Sequence, residues 1–264
     1  MIEVFDLECG DTPLLVSIPH DGRELSAGQA RRMTGAGRSL PDTDWHVRKL
    51  YGFVQDLGAS VIAANFSRYV IDLNRPADDE ALYAGRLSTG LCPAATFAGD
   101  AIYKHGAEVS AEEQAQRVEQ YWQPYHDRLQ QELDAIRERF GYALLWDAHS
   151  IAGEVPSLFD GTLPDLNVGS HGGRSCDASI VHAACGVAEE SAYSSVLDGR
   201  FRGGYITRHY GDPRRGIHAL QLELAQRTYM DEISLAYDAV RAAVLADTLG
   251  KMLMEFTVSA AAGA

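Results

Sequence analysis

No GxGxxG or GxxxxGK[ST] occurs anywhere in the chain, so nothing supports a dinucleotide fingerprint or a phosphate-cradling loop. The absence of a GxSxG elbow likewise removes support for a serine hydrolase. Cysteine is scarce: Cys9, Cys92, Cys176 and Cys185 are scattered, with no CxxC pair. There is also no run apolar and long enough to span a bilayer, and no signal-peptide pattern. Together these features predict reduced thiols and a cytoplasmic location. Positive charge is in short supply, 23 Lys and Arg against 37 Asp and Glu, for a formal net charge of -14 and a pI of about 5.0. Such a balance works against nonspecific nucleic-acid binding and against anionic membranes. A small anionic substrate is compatible with it where arginines are concentrated locally.

What is present is ordinary globular material: 264 residues, 46% hydrophobic and 23% charged. Pro13–Pro19 is a short apolar run ending at His20 and reads as a buried strand. Helical spacing follows over 44–57, with Val47, Leu50, Tyr51, Val54 and Leu57 on one stripe. Residues 60–65 and 69–73 read as strands, and 77–108, punctuated by glycine and proline, as a long functional loop. Ser110 to Glu113 fits a capping box. The stripe after it, Val118 through Phe140, predicts a long helix kinked at Pro124 and closed by Gly141. Residues 142–146 are a continuous apolar strand, 217–224 read as another strand, and helices are predicted at about 177–190 and 230–255. Alternating strands and helices without repeat or linker imply an α/β fold: one domain over 1–258 with a mostly parallel sheet flanked by helices, then a frayed tail over 259–264.

Sites in open α/β sheets gather at the carboxyl ends of strands. Four elements fall there or at helix starts: Ile18 to Gly22, Asp42-Thr43-Asp44, Asp147 to Ser150, and Gln221-Leu222-Glu223. They supply His20 and His149, an aspartate at 42 or 44, and Glu223. Two histidines and a carboxylate, with another carboxylate beside them, are what zinc needs to activate water and pass on its proton. Asp44 lies at the edge of the apolar stripe, and Asp42 stays open as the alternative; an N-cap role is the bland reading of either. Asp147 can orient the His149 ring, the alternative being that the two merely share a strand face at i and i+2. Glu223, amid Leu220, Leu222 and Leu224, occupies the opposite face of its strand, where a carboxylate is costly unless paired or functional. Arg68, Arg75 and Arg208 stand beside polar or aromatic groups, including Asn74 and Tyr205, and suit bidentate capture of carboxylates, with a surface salt bridge an equal reading for any one of them.

Nine stretches carry a resemblance over nearly the whole chain: IPHDG at 18–22, DTDWHV at 42–47, SRYVIDLNRP at 67–76, LY at 82–83, YWQPYH at 121–126, DAHSI at 147–151, LFDGTLPDLNVG at 158–169, GRFRGGYITRHYG at 199–211 and HALQLEL at 218–224. In this order they resemble the N-formylglutamate amidohydrolase family. The resemblance implies hydrolysis of N-formyl-L-glutamate to formate and L-glutamate, a step of bacterial histidine breakdown. The family is more distantly similar to the zinc carboxypeptidases and zinc-dependent peptidoglycan amidases, which implies a phosphorylase/hydrolase-like fold. By chain order it also implies one divalent ion, zinc, on His20, Asp44 and His149, with Glu223 as base. The HxxE pair of the carboxypeptidases is absent, since Arg23 stands where its glutamate would fall. Asn74-Arg75 resembles the Asn-Arg pair that holds a substrate carboxylate there. Two substrate carboxylates then fall to Arg75 and Arg208, with Tyr205 or Arg68 assisting. The competing expectations are a zinc amidohydrolase or peptidase acting on another N-acyl amino acid, and a non-catalytic binder of acidic amino acids, which would lack a ligand or the base.

Overall fold

The computed structural model describes residues 2–80 and 89–263. The LY pair at 82–83 and the middle of the 77–108 segment lie outside the described residues. The strands are β1 (Phe5–Glu8), β2 (Leu14–Ile18), β3 (Ser60–Ala64), β4 (Ala143–Ile151), β5 (Leu166–Gly169), β6 (Ser195–Leu197) and β7 (Ile217–Ala225). Among the described residues they form one sheet in the order β1-β3-β2-β4-β7-β5-β6. β2 pairs in parallel with both β3 and β4, and β4 with β7; β1 and β5 run antiparallel to their inner neighbours β3 and β7. The mostly parallel α/β sheet expected from the sequence is therefore present. The chain leaves β2 for β3 on one side and returns to build β4 on the other. That reversal opens a crevice at the carboxyl ends of β2 and β4.

The two faces of the sheet explain where polar groups can go. Trp146 and Ala148 of β4 and Leu220, Leu222 and Leu224 of β7 point into one core. Helices α6 (Ala178–Glu190) and α8 (Ala239–Gly263) cover it with Ile180, Ala184, Leu245, Leu249 and Phe256. On the other face Leu15, Ile62, Ala143, Leu145 and Ala219 meet Leu129, Leu133 and Ile136 of α5 (Gln123–Phe140). Two-residue steps along that face lead from Ala143 and Leu145 to Asp147 and His149, and from Ala219 to Gln221 and Glu223. One face thus changes from apolar to polar at the crevice.

Several local readings are corrected. Residues 69–73 form no strand: Tyr69, Val70, Ile71 and Leu73 are buried, but side chains satisfy their backbone in place of a ladder. Arg117 donates to the Val70 carbonyl at 2.6 Å, Gln29 to that of Tyr69 at 2.7 Å and His126 to that of Leu73 at 2.9 Å. The helix expected from Asp44 begins only at α3 (Val47–Leu50) and tightens into a 3-10 turn over Tyr51–Gln55. Short helices α1 (Gln29–Arg32) and α2 (Gly35–Arg38) precede it. The Ser110 cap accepts from the Glu113 amide at 3.2 Å and starts α4 (Ala111–Arg117). No kink at Pro124 is needed, because a π turn over Val118–Trp122 joins α4 to α5 and puts Pro124 in the first turn of α5. The wider turn accommodates a ring that would otherwise strike the carbonyl four residues back. β4 runs to Ile151, so Asp147 and His149 lie within the strand instead of after it. α8 starts later than residue 230 because Asp238 accepts from the amides of Val240 and Arg241, and it continues through residues 259–263. Among the described residues no helix is long and apolar enough to cross a membrane.

Candidate metal centre

His20 follows β2 by one proline, and its carbonyl accepts from the Asp44 amide at 3.1 Å, which pulls the turn before α3 against the strand end. His149 descends on β4 to the same point. Its Nδ1 lies 3.0 Å from Asp44 Oδ2, and the Ser150 amide donates to that oxygen at 3.1 Å. His20 Nδ1 is 3.7 Å from the same oxygen. The side chains of His20, Asp44 and His149 are all buried, each offering one ligand atom within 4.8 Å of the others. Tetrahedral ligands at zinc bond lengths of about 2.0–2.2 Å stand roughly 3.3–3.6 Å apart, and Asp44 Oδ2 lies near that distance from both imidazoles. His20 Nδ1 is moreover a buried nitrogen with no hydrogen-bond partner, which is the condition of a lone pair awaiting a cation.

Each imidazole is turned by its other nitrogen. His20 Nε2 is 2.7 Å from Asp72 Oδ1, and His149 Nε2 is 3.1 Å from Asp147 Oδ1. The Asp72 carboxylate favours a proton on Nε2 of His20, and both rings point Nδ1 at Asp44. Asp147 is wholly buried and also accepts from Asn74 at 3.3 Å, Thr207 at 3.2 Å and Ser17 at 3.5 Å. Burial opposes charge on Asp44, but the His149 hydrogen bond and the nearby His20 and Arg68 outweigh it and hold the carboxyl low. Burial also opposes charge on His149, yet Asp147 and Asp44 raise it well above the ordinary histidine range. Burial and the Arg68 charge push His20 the other way, toward the neutral form. Asp42 does not reach the cluster as a ligand: its Oδ2 accepts from the Tyr69 hydroxyl at 2.6 Å and the Phe97 amide at 2.8 Å.

Glu223 stands directly opposite His149 in the β4–β7 register and is 7% exposed. Its Oε2 accepts from Gln221 Nε2 at 3.1 Å, while Gln221 Oε1 accepts from the Gly204 amide at 2.6 Å. Burial raises the Glu223 carboxyl to about 8, with His149 acting against that rise and Asp44 adding to it. A carboxyl held near neutrality is matched to accepting and returning a proton.

The remaining sequence-selected groups surround this centre in unequal ways. Asn74 is buried and committed internally: Nδ2 lies 2.8 Å from His149 Nε2, and Oδ1 accepts from the Ile206 amide at 2.8 Å. That bond draws α7 (Tyr205–Tyr210) to the site, and a Cβ at Gly204 would collide with the Asn74 side chain. Arg75 and Arg208 are partly buried on the two segments so joined, donating to Asn74 O at 3.0 Å and Gly203 O at 2.7 Å. Tyr205 stacks on His209 with ring centroids 4.8 Å apart. Arg68 turns inward: NH2 meets Asp72 Oδ2 at 2.6 Å and NH1 lies 3.6 Å from Asp44 Oδ1. The residue that sequence reasoning missed is Asp72. A lone aspartate within the apolar stretch Val70 to Leu73 was its signal, the same one that singled out Glu223.

Sheet and site together define an α/β protein with a buried His–Asp–His cluster able to hold a metal, and a carboxylate beside it at the ends of parallel strands. Within that class the chain belongs to the N-formylglutamate amidohydrolase family, whose model matches residues 12–230. It is 56% identical over 233 residues to the N-formylglutamate deformylase of Pseudomonas putida, covering 88% of this chain and 87% of that one. The N-formylglutamate deformylase of Pseudomonas aeruginosa is 51% identical over 235 residues, with the same coverage of both chains. The crystal structure of N-formylglutamate amidohydrolase from Ralstonia eutropha JMP134 has the same fold, with a TM-score of 0.83 at 23% identity over 98% of each chain. A crystal structure from Agrobacterium tumefaciens shares it at a TM-score of 0.69 and 19% identity, covering 96% of this chain and 95% of that one.

Proposed function

We propose that the protein hydrolyses N-formyl-L-glutamate to formate and L-glutamate with a divalent metal, zinc, held by His20, Asp44 and His149. The observation that carries this reading is the orphaned His20 Nδ1 aimed at Asp44 and His149, with Glu223 next to His149. Bound there, the ion supplies Lewis acidity toward water and the formyl carbonyl. The residues of the chain do the rest. Glu223 takes a proton from the attacking water and returns it to the leaving nitrogen. Gln221 holds Glu223 Oε2 and ties it to Gly204, so the base and α7 keep a fixed relation. Formyl is the smallest acyl group, and discrimination therefore rests on the glutamate half. Arg75 takes the α-carboxylate and Arg208 the side-chain carboxylate, with Tyr205 beside them; Asn74 and Arg68 support the site from within. The enzyme acts as the last step of a histidine degradation route in the cytoplasm, where Cys9, Cys92, Cys176 and Cys185 remain free thiols.

The test is formate release from N-formyl-L-glutamate, with N-formyl-aspartate and N-acetyl-glutamate as controls. Strong preference for the first is expected. Equal turnover of N-acetyl-glutamate overturns the substrate assignment.

A further inference from the structure

We infer that Asp72 and Arg68 form a positioning pair that sets which nitrogen of His20 faces the ion and fixes His20 and Asp44 relative to each other. This rests on the reading that the cluster holds a divalent metal. Asp72 has no exposed surface, and all its side-chain contacts serve this arrangement. Oδ1 lies 2.7 Å from His20 Nε2 and accepts from the Asn74 amide at 2.9 Å. Oδ2 accepts from Arg68 NH2 at 2.6 Å. Arg68 then reaches Asp44 Oδ1 with NH1 at 3.6 Å and the Asp42 carbonyl at 3.5 Å. Phe97 closes over the guanidinium, 5.0 Å from its ring centre, and the arginine is 8% exposed. One continuous path therefore runs from His20 through Asp72 and Arg68 to Asp44.

Three physical points favour this role over a substrate contact. An imidazole can offer either nitrogen, and a carboxylate at one decides the matter by accepting its hydrogen bond and so holding the ring proton there. Arg68 has both terminal nitrogens turned to protein acceptors, in the planar fork that suits two carboxylates at once. Charge agrees as well. Asp44, Asp72 and Asp147 are three buried carboxylates beside two imidazoles, and Arg68 is the guanidinium placed between two of them. Removing Arg68 would leave Asp44 and Asp72 without the cation that lies between them.

The experiment compares the full-length wild-type chain with Asp72→Asn, Asp72→Glu and Arg68→Met. Zinc affinity is read by competition with a chromophoric chelator, and the His20 tautomer by nitrogen-15 NMR of the metal-free protein. For the wild type, protonation of His20 at Nε2 is expected. In Asp72→Asn, zinc affinity should fall roughly ten- to a hundredfold, with His20 populating both tautomers, and Asp72→Glu should recover part of the loss. Arg68→Met should weaken zinc by a similar factor while His20 keeps its Nε2 proton. Unchanged zinc affinity and tautomer in Asp72→Asn overturn the proposal. Should that variant fail to fold, Arg68→Met decides: wild-type zinc affinity with a raised KM makes Arg68 a substrate contact and overturns the pair. A wild-type protein that takes up no zinc sinks the metal reading instead, and the metal-free tautomer measurement still judges Asp72.

Discussion

His149 and Glu223 are paired residues on adjacent parallel strands, their side chains on the one sheet face that changes from apolar to polar at the crevice. On the proposed reading, the relationship separates two jobs across one strand pair, metal ligation on β4 and proton transfer on β7. Glu223→Gln should therefore retain bound metal and substrate affinity while kcat falls roughly a hundred- to ten-thousandfold. Metal content and steady-state kinetics of the same preparation check it. Near-normal kcat would move proton transfer to another group, Asp147 being the nearest carboxylate on β4.

The two aspartates of the Asp42-Thr43-Asp44 turn should behave differently. Asp44→Ala is expected to lose metal, since its Oδ2 is the point on which both Nδ1 atoms converge. Asp42→Ala should keep metal and lose stability instead, by about 1–3 kcal/mol, because the Tyr69 hydroxyl and Phe97 amide lose their acceptor. Elemental analysis and denaturant unfolding of both variants distinguish the cases; the reverse pattern of metal loss would make Asp42 the ligand.

The arginines give a prediction about specificity. Replacing the arginine that holds the substrate side-chain carboxylate with methionine should bring N-formyl-glutamate and N-formyl-glutamine to similar kcat/KM. Truncating a desolvated charge pair of this kind costs about 2–5 kcal/mol. Arg208→Met is expected to do this, and Arg75→Met to weaken both substrates alike. If both variants still strongly prefer N-formyl-glutamate, other groups read the carboxylates.

Behind Tyr205, His126 makes acid stability measurable. Burial lowers its pKa to about 3 from an ordinary value of 6.5, with Nε2 on the Leu73 carbonyl at 2.9 Å and Nδ1 facing the Tyr210 hydroxyl at 2.9 Å. Between those values the unfolded chain binds the proton and the folded chain does not. Its contribution is therefore complete above pH 6.5 and is lost progressively as pH falls toward 3, at up to about 1.4 kcal/mol per pH unit. Unfolding free energies of wild type and His126→Gln between pH 7 and pH 4.5 check it: the variant should show a shallower acid-side slope. Parallel slopes contradict a neutral buried His126.

Much of this was legible in the sequence because it depends on period. The apolar runs that became β4 and β7 carried His149 and Glu223 at positions a two-residue pleat sends to one face, and the run that became β2 delivered His20 just past its end. What period could not convey was long-range partnering. Residues 69–73 look like a strand because they are apolar, but their carbonyls are met by Arg117, Gln29 and His126 from distant helices. The same blindness hid Asp72, whose partner His20 is 52 residues away, and made Arg68 read as an assisting contact for a substrate carboxylate when it faces the site's own carboxylates. The choice between Asp42 and Asp44 was equally out of reach, since it turns on Tyr69 and Phe97 occupying one and the two histidines converging on the other.

The most direct test of the central claim is metal reconstitution. Formate release from N-formyl-L-glutamate is measured on protein stripped by a chelator and then titrated with zinc. The account predicts that activity disappears on stripping and returns in proportion to zinc, reaching its plateau at one ion per chain, while His149→Ala recovers none. Full activity in the stripped protein, or restoration in His149→Ala, would contradict a reaction centred on His20, Asp44 and His149.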